Sequence, residues 1–249
     1  MTGSATLLGM ELPVLYEDAD VVAVAKPAGI ATHPDGRSSA PTAEDWFKEK
    51  YPGVKLERPY AHRLDRDTSG VLAFAKSAPA HEFLRKAFTG RAVRKTYLAF
   101  VYGVPKERKG TIDFDIGRSR KDFRLRSAQP KARGRLRAAV TRYEVVADDG
   151  AYALLRVEPE TGRTHQIRVH LKAIHHPVVG DPLYAPERPP ALGAERLALH
   201  AYALDLPLPS GGQARILAPV PADLAPALAH FPSARGRFSE TAEGHLLQL

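Results

Sequence analysis

The 249-residue chain contains no cysteine. That absence removes disulfides, thiolate metal sites and any cysteine nucleophile from its chemistry. Long hydrophobic runs are missing as well, and no stretch approaches the ~20 apolar residues a membrane-spanning helix requires. The N-terminus, MTGSATLLGMELP, has no basic start, no long apolar core and no small-residue cleavage pattern, so no secretory signal is read there. Internal repeats, low-complexity tracts and Gly/Ser linkers are lacking, as are a phosphate-cradling glycine loop and the HExxH spacing of a zinc helix. Acid is the scarcer charge: 28 Asp and Glu stand against 36 Lys and Arg, a formal net charge of +8.

What is present begins with an ordinary globular composition, 44% hydrophobic and 26% charged, on a chain long enough to bury a substantial core. The basic excess is clustered. The segment RSRKDFRLRSAQPKARGRLR, residues 118 to 137, holds nine Lys or Arg and one acid, Asp122. A second group, Arg85, Lys86, Arg91, Arg94 and Lys95, leads into TYLAFVYG. One such run reads as a solvated hairpin; two of them point toward a polyanion such as nucleic acid.

Periodicity places short strands among a few helices. VLYEDADVVAVAKPAG predicts strands at Val14 to Tyr16 and Val21 to Ala25 around an acidic turn, closed by Pro27 and Gly29. PTAEDWFKEKYPG predicts a helix capped by Thr42, and SAPAHEFLRKAFTG a second, capped by Ser77, with Phe83/Ala87 and Leu84/Phe88 stacked and Gly90 ending it. KTYLAFVYG, RYEVVA and YALLRVE read as strands. Connections too short for parallel crossovers give an α+β class with a mixed, mostly antiparallel sheet flanked by helices and loops, in one domain.

Two stretches carry chemistry. AHRLDRDTSG packs His62, Arg63, Asp65, Arg66 and Asp67 into six positions and then turns into the apolar run VLAFA. Such an arrangement suits a carboxylate held ionised by neighbouring cations. Asp65 and Asp67 also qualify as an acid/base pair of a hydrolase, though beside Thr-Ser-Gly they lie more naturally in a turn. ETGRTHQIRVHLKAIHHPVVGD predicts a helix with Thr164 as N-cap, an apolar stripe of Ile167, Leu171 and Ile174, and a basic stripe of His165, Arg168 and Lys172 on another face. Its N-terminus, flanked by Arg163, favours an anion. His165, His170, His175 and His176 are not spaced as metal ligands, and His33, His81 and His200 carry no metal signal either.

In order along the chain, LYEDADVVAVAKPAGIATHP, HRLDRDTSGVLAFAKS, RKTYLAFVYG, VTRYEVV, TGRTHQIRVHLKAIHHPVVGDPLY and RLALHAYAL resemble the RluA-type pseudouridine synthases, which isomerise uridine in ribosomal and transfer RNA. The resemblance implies a pseudouridine synthase catalytic core over about residues 14–220 of a single domain. It implies Asp65 as the catalytic aspartate, Tyr97 as the active-site tyrosine and Arg168 as the arginine paired with the aspartate. Arg63 resembles the residue that fills the gap left by an extruded base. An RNA surface of Arg63, His62, Arg163, His165, Lys95, Arg118, Arg120 and Lys121 goes with it. The partner is then structured RNA, ribosomal or transfer, handled by a cytoplasmic monomer that needs no cofactor, metal or membrane. The chain departs from the family pattern in two places: an S4-like module has no room before Val14, and GRLRAAVTRY carries an extra basic residue, Arg137. A non-enzymatic RNA-binding protein is the rival within the nucleic-acid reading.

Overall fold

The computed structural model describes residues 10–34, 36, 38–120, 122, 125–128 and 132–238. In chain order these begin with strands β1 (Val14–Glu17) and β2 (Val21–Lys26), helix α1 (Ala43–Lys50), strand β3 (Ser69–Ala75) and helix α2 (Ala78–Thr89). Seven strands follow: β4 (Arg94–Tyr102), β5 (Lys109–Asp113), β6 (Ile116–Arg118), β7 (Arg126–Ala128), β8 (Arg133–Arg137), β9 (Val140–Asp148) and β10 (Tyr152–Pro159). Helix α3 (Gln166–Ala173), strands β11 (Leu199–Pro207) and β12 (Gln213–Leu217), and helices α4 (Ala225–Ala229) and α5 (Pro232–Phe238) complete the order. Within each of the two compact units described below the paired strands are antiparallel, giving the α+β class.

The chain divides into two compact units. Of the described residues, the first takes those within 10–93 and Ala203–Ala218. In it β1, β2 and β3 form an antiparallel meander, and residues 203–207 of β11 pair with β12. Every residue of β3 is buried, because helices cover both faces. Val71, Ala73 and Ala75 pack with Ala80, Leu84 and Ala87 of α2, while Phe74 stacks on Phe47 of α1 with ring centroids 4.9 Å apart. Strand β3 therefore reads as a continuous apolar run rather than an alternating one.

Thr42 caps α1 as its spacing suggests. Its Oγ1 accepts the Asp45 N–H, and the Asp45 carboxylate accepts the Thr42 N–H at 2.9 Å. Ser77 caps α2 likewise. The buried face of α2 is Ala80, Leu84 and Ala87, however, and Phe83, expected to stack on Ala87, is exposed. Gly90 ends this helix at φ −77°, leaving Arg91 to adopt the left-handed φ of 61°.

The second unit takes the described residues within Arg94–Tyr202 and 219–238. Its main sheet runs β4-β10-β9-β5, with Tyr97 opposite Val157, and Leu98, Phe100, Leu154 and Leu155 fully buried within it. A separate three-stranded sheet, β7-β6-β8, packs Ile116 and Ala128 against Val169 of α3 and Tyr184. Arg118 of β6 and all of β7 and β8 fall in the basic segment 118–137, read above as a hairpin or polyanion surface without strand assignments.

Candidate functional site

In the first unit the fold fixes the backbone around Asp65 from three sides. Lys26 is 1% exposed, and its ammonium donates to Pro27 O, Ile30 O and Arg66 O at 2.8, 2.7 and 3.0 Å. A buried ammonium is tolerable when all three of its donors are taken, and three carbonyls accept them here. Thr32 holds the other side: its Oγ1 accepts the Leu64 N–H at 3.1 Å and donates to Leu64 O at 2.9 Å. Between these anchors the Thr68 N–H donates to Asp65 O at 3.1 Å, closing a turn with Arg66 and Asp67 at its centre. Gly70, at φ 121°, takes the chain from that turn into β3. Asp65 is half-buried, while Arg63 and Arg66 are exposed.

His62 has a supporting part in the same loop. Its Nε2 accepts the Ala73 N–H at 3.0 Å, and its ring stacks on Phe88 at 4.6 Å. An accepting Nε2 leaves the proton of the neutral ring on Nδ1.

In the second unit the stretch 161–170 is held by its own side chains. The structure corrects the reading of Thr164 as N-cap: His165, at φ 57°, precedes the first helical residue, and no side chain caps there. Gln166 supplies the missing partners from inside the helix. Its Oε1 accepts from Arg163 N–H at 3.0 Å and Thr161 Oγ1 at 2.7 Å, and its Nε2 donates to Val140 O and Thr141 Oγ1. Thr141 passes its proton toward His170 Nδ1, and His170 Nε2 donates to Phe114 O, both at 2.9 Å. Burial pushes the His170 pKa down, so the ring is held neutral as an internal strut.

Arg168 lies deeper than its basic stripe suggested. It is 2% exposed, and its Nε and Nη2 both reach Asp181 at 2.7 Å in a bidentate fork. Asp181 also accepts the N–H groups of Leu183 and Tyr184. The Tyr184 ring lies under the guanidinium, 5.1 Å from Cζ to centroid. Tyr184 Oη accepts the Arg126 N–H at 2.9 Å and lies 2.9 Å from His165 Nδ1. Gly180, at φ 67°, makes the turn before Asp181, and a Cβ there would sit 2.2 Å from Arg196 O.

Tyr97 is half-buried on β4, and Lys95 shares its face two residues earlier. Lys95 donates to Thr161 O at 3.0 Å, and burial lowers its pKa from 10.5 to about 8. Of the remaining basic residues, Arg120 is exposed, Arg118 and Arg163 line one cavity, and Lys121 lies outside the described residues. Among the described residues no three His, Cys, Asp or Glu side chains gather as a metal-binding group, and no helix is long and apolar enough to cross a membrane.

Lys26, Thr32, Gln166, Asp181 and Tyr184 went unmarked in the sequence reading. Lys26 had a signal: a lone cation ending the apolar run VVAVAK before Pro27. Asp181 had none, since thirteen residues separate it from Arg168 and no local period links them.

Known proteins resemble this chain in sequence and in fold. The family described as RNA pseudouridylate synthase matches residues 20–173. An uncharacterized RNA pseudouridine synthase of Mycobacterium bovis is 41% identical over 225 residues, covering 87% of this chain and 72% of its own. Ribosomal large subunit pseudouridine synthase D of Neisseria meningitidis is 37% identical over 236 residues, 86% of this chain and 60% of its own. Among solved structures, human RNA pseudouridylate synthase domain containing 4 superposes with a TM-score of 0.71 at 26% identity, covering 87% of this chain and 92% of its own.

Proposed function

Since the chain belongs to the RNA pseudouridylate synthase family, whose members isomerise uridine to pseudouridine in RNA, we propose that it modifies specific uridines of ribosomal or transfer RNA with Asp65 as the catalytic carboxylate. Ribosomal RNA is favoured by the likeness to a relative named for the large ribosomal subunit. The observation that carries Asp65 is the three-sided anchoring of its loop by Lys26, Thr32 and Thr68. A carboxylate that must meet one sugar atom gains from a backbone that cannot drift, because misplacement by an ångström is costly to catalysis.

The reaction moves no electrons in or out. The bond from uracil N1 to the ribose breaks, the base rotates, a bond from C5 replaces it, and the C5 proton is lost as N1 gains one. The target base first leaves its stack at a cost of a few kcal/mol. Arg63, exposed and planar at its tip, suits the vacated gap because a guanidinium stacks as well as hydrogen-bonds. Asp65 acts either as nucleophile on the sugar or as base toward the ribose C2′ proton. Tyr97 offers a ring to stack on uracil and Arg168 a charge for the carboxylate chemistry; both assignments rest on the family resemblance.

RNA labelled with tritium at uridine C5 tests the reading. Wild-type protein should release the label with time, and Asp65→Asn should release none while binding RNA about as well. Equal release by both proteins, or by neither on ribosomal and transfer RNA alike, would remove the isomerase assignment.

A further inference from the structure

A cavity of about 510 Å³ in the second unit is walled by Arg118, Arg126, Arg135, Arg137 and Arg163. It opens between the β7-β6-β8 sheet and the turn at 162–164. None of the described residues lining it is acidic or aromatic. Among the described residues no carboxylate pairs with any of the five guanidinium groups. The register sharpens the point, because Arg118 lies directly opposite Arg126 across β6 and β7. Like charges facing each other across a strand pair destabilise it, so the sheet carries an electrostatic cost that no partner within the fold removes.

Two of the arginines are also held in place. Arg163 Nε donates to Ala138 O at 3.1 Å, and Arg126 is fixed through its N–H to Tyr184 Oη and through Nη1 to Leu125 O. Arg118, Arg135 and Arg137 remain exposed at their tips. Gly162 and Thr164 complete the wall beside Arg163, with no large side chain to obstruct a ligand.

From these observations we infer that the cavity is a phosphate cradle that grips two or more consecutive phosphodiesters of an RNA strand without reading its bases. Guanidinium forks match phosphate oxygens bidentately, and five of them exceed what one phosphate can engage. A base-reading site for single-stranded RNA would show aromatic platforms, and the described residues of this wall include none. The inference rests on the proposed RNA function and adds a place and a chemistry for part of the grip. Arg118 and Arg163 belong to the RNA surface implied by resemblance; Arg126, Arg135 and Arg137 come from the basic run 118–137 that composition pointed toward a polyanion.

The test measures binding alone, so its outcome is independent of whether isomerase activity is found. Arg126→Gln/Arg135→Gln/Arg137→Gln is compared with wild type for binding of a single-stranded RNA oligonucleotide over a range of salt. A control triple, Lys55→Gln/Arg58→Gln/Arg215→Gln, removes the same charge from exposed positions elsewhere. The cradle predicts at least tenfold weaker binding at low salt for the first triple. It also predicts a plot of log affinity against log salt shallower by about 1.4, since each single-strand phosphate contributes about 0.7. Thermal melting should equal or exceed that of wild type, because Arg126→Gln removes the repulsion with Arg118, and the control should bind within about twofold of wild type. Equal losses in both triples would reduce the effect to net charge and overturn the cradle, as would wild-type affinity and slope in the first. Pyrophosphate binding as tightly as the oligonucleotide, and lost in the first triple, would assign the cavity to a small free anion instead.

Discussion

Asp181 accepts four donors, two from Arg168 and two from the backbone of Leu183 and Tyr184, and is itself 1% exposed. Breaking a buried, bidentate ion pair by neutralising one partner is strongly destabilising. Asp181→Asn keeps the shape and removes the charge, so it should cost about 3–5 kcal/mol in urea unfolding. A loss below about 1 kcal/mol would show that Arg168 does not depend on Asp181. The same geometry makes Arg168→Met a poor probe of mechanism, because it strands a buried carboxylate; Arg168→Lys keeps the charge and removes only the fork. Lys95 offers a pH-dependent test. Its folded pKa of about 8 lies below the ordinary 10.5, so folding expels its proton between those values. There the unfolded chain holds more protons, and stability rises with pH through that window. Below pH 8 the buried ammonium disfavours the fold by on the order of 3 kcal/mol. Urea midpoints at pH 7.5 and 10 should therefore rise for wild type relative to Lys95→Met. Parallel curves for the two proteins would place the Lys95 ammonium in water.

At the level of elements, legibility followed the range of the interactions. The Thr42–Asp45 box spans one helical turn and could be read from spacing, as could the Ser77 cap and the strands carrying Tyr97, Tyr143 and Leu154. Strand β3 hides the alternation that marks a half-buried strand, since α1 and α2 cover its two faces. Strands β6, β7 and β8 are masked by arginine, a residue whose charge reads as surface whatever its backbone does. At α3 the local reading failed for a reason that lies elsewhere in the chain. Thr164 has the chemistry of a cap, but Gln166 is tied to Thr141 and Val140 and supplies its Oε1 to Thr161 and Arg163. The basic stripe of that helix was misjudged likewise: Arg168 is buried because Asp181 waits for it thirteen residues on. Asp65, by contrast, could be separated from Asp67 only by family resemblance. The anchors Lys26 and Thr32 come from 39 and 33 positions upstream, beyond any local pattern.

Across the whole molecule, the +8 charge is a statement about what the protein approaches before any base is recognised. Contacts between arginine or lysine and phosphate release counterions from the strand and carry no sequence information. Two consequences follow, and they separate grip from chemistry. At about 50 mM salt, poly-C should bind within about threefold of poly-U, although it holds no uridine to isomerise. Raising the salt should weaken both in parallel, because the same phosphates are lost from the same cations. Filter binding or fluorescence anisotropy across a salt series reads both quantities. Parallel lines would place the selection of the target uridine after binding, in the extrusion and capture of the base beside Asp65. Binding of poly-U with none of poly-C would mean instead that bases, rather than the clustered arginines, hold the strand.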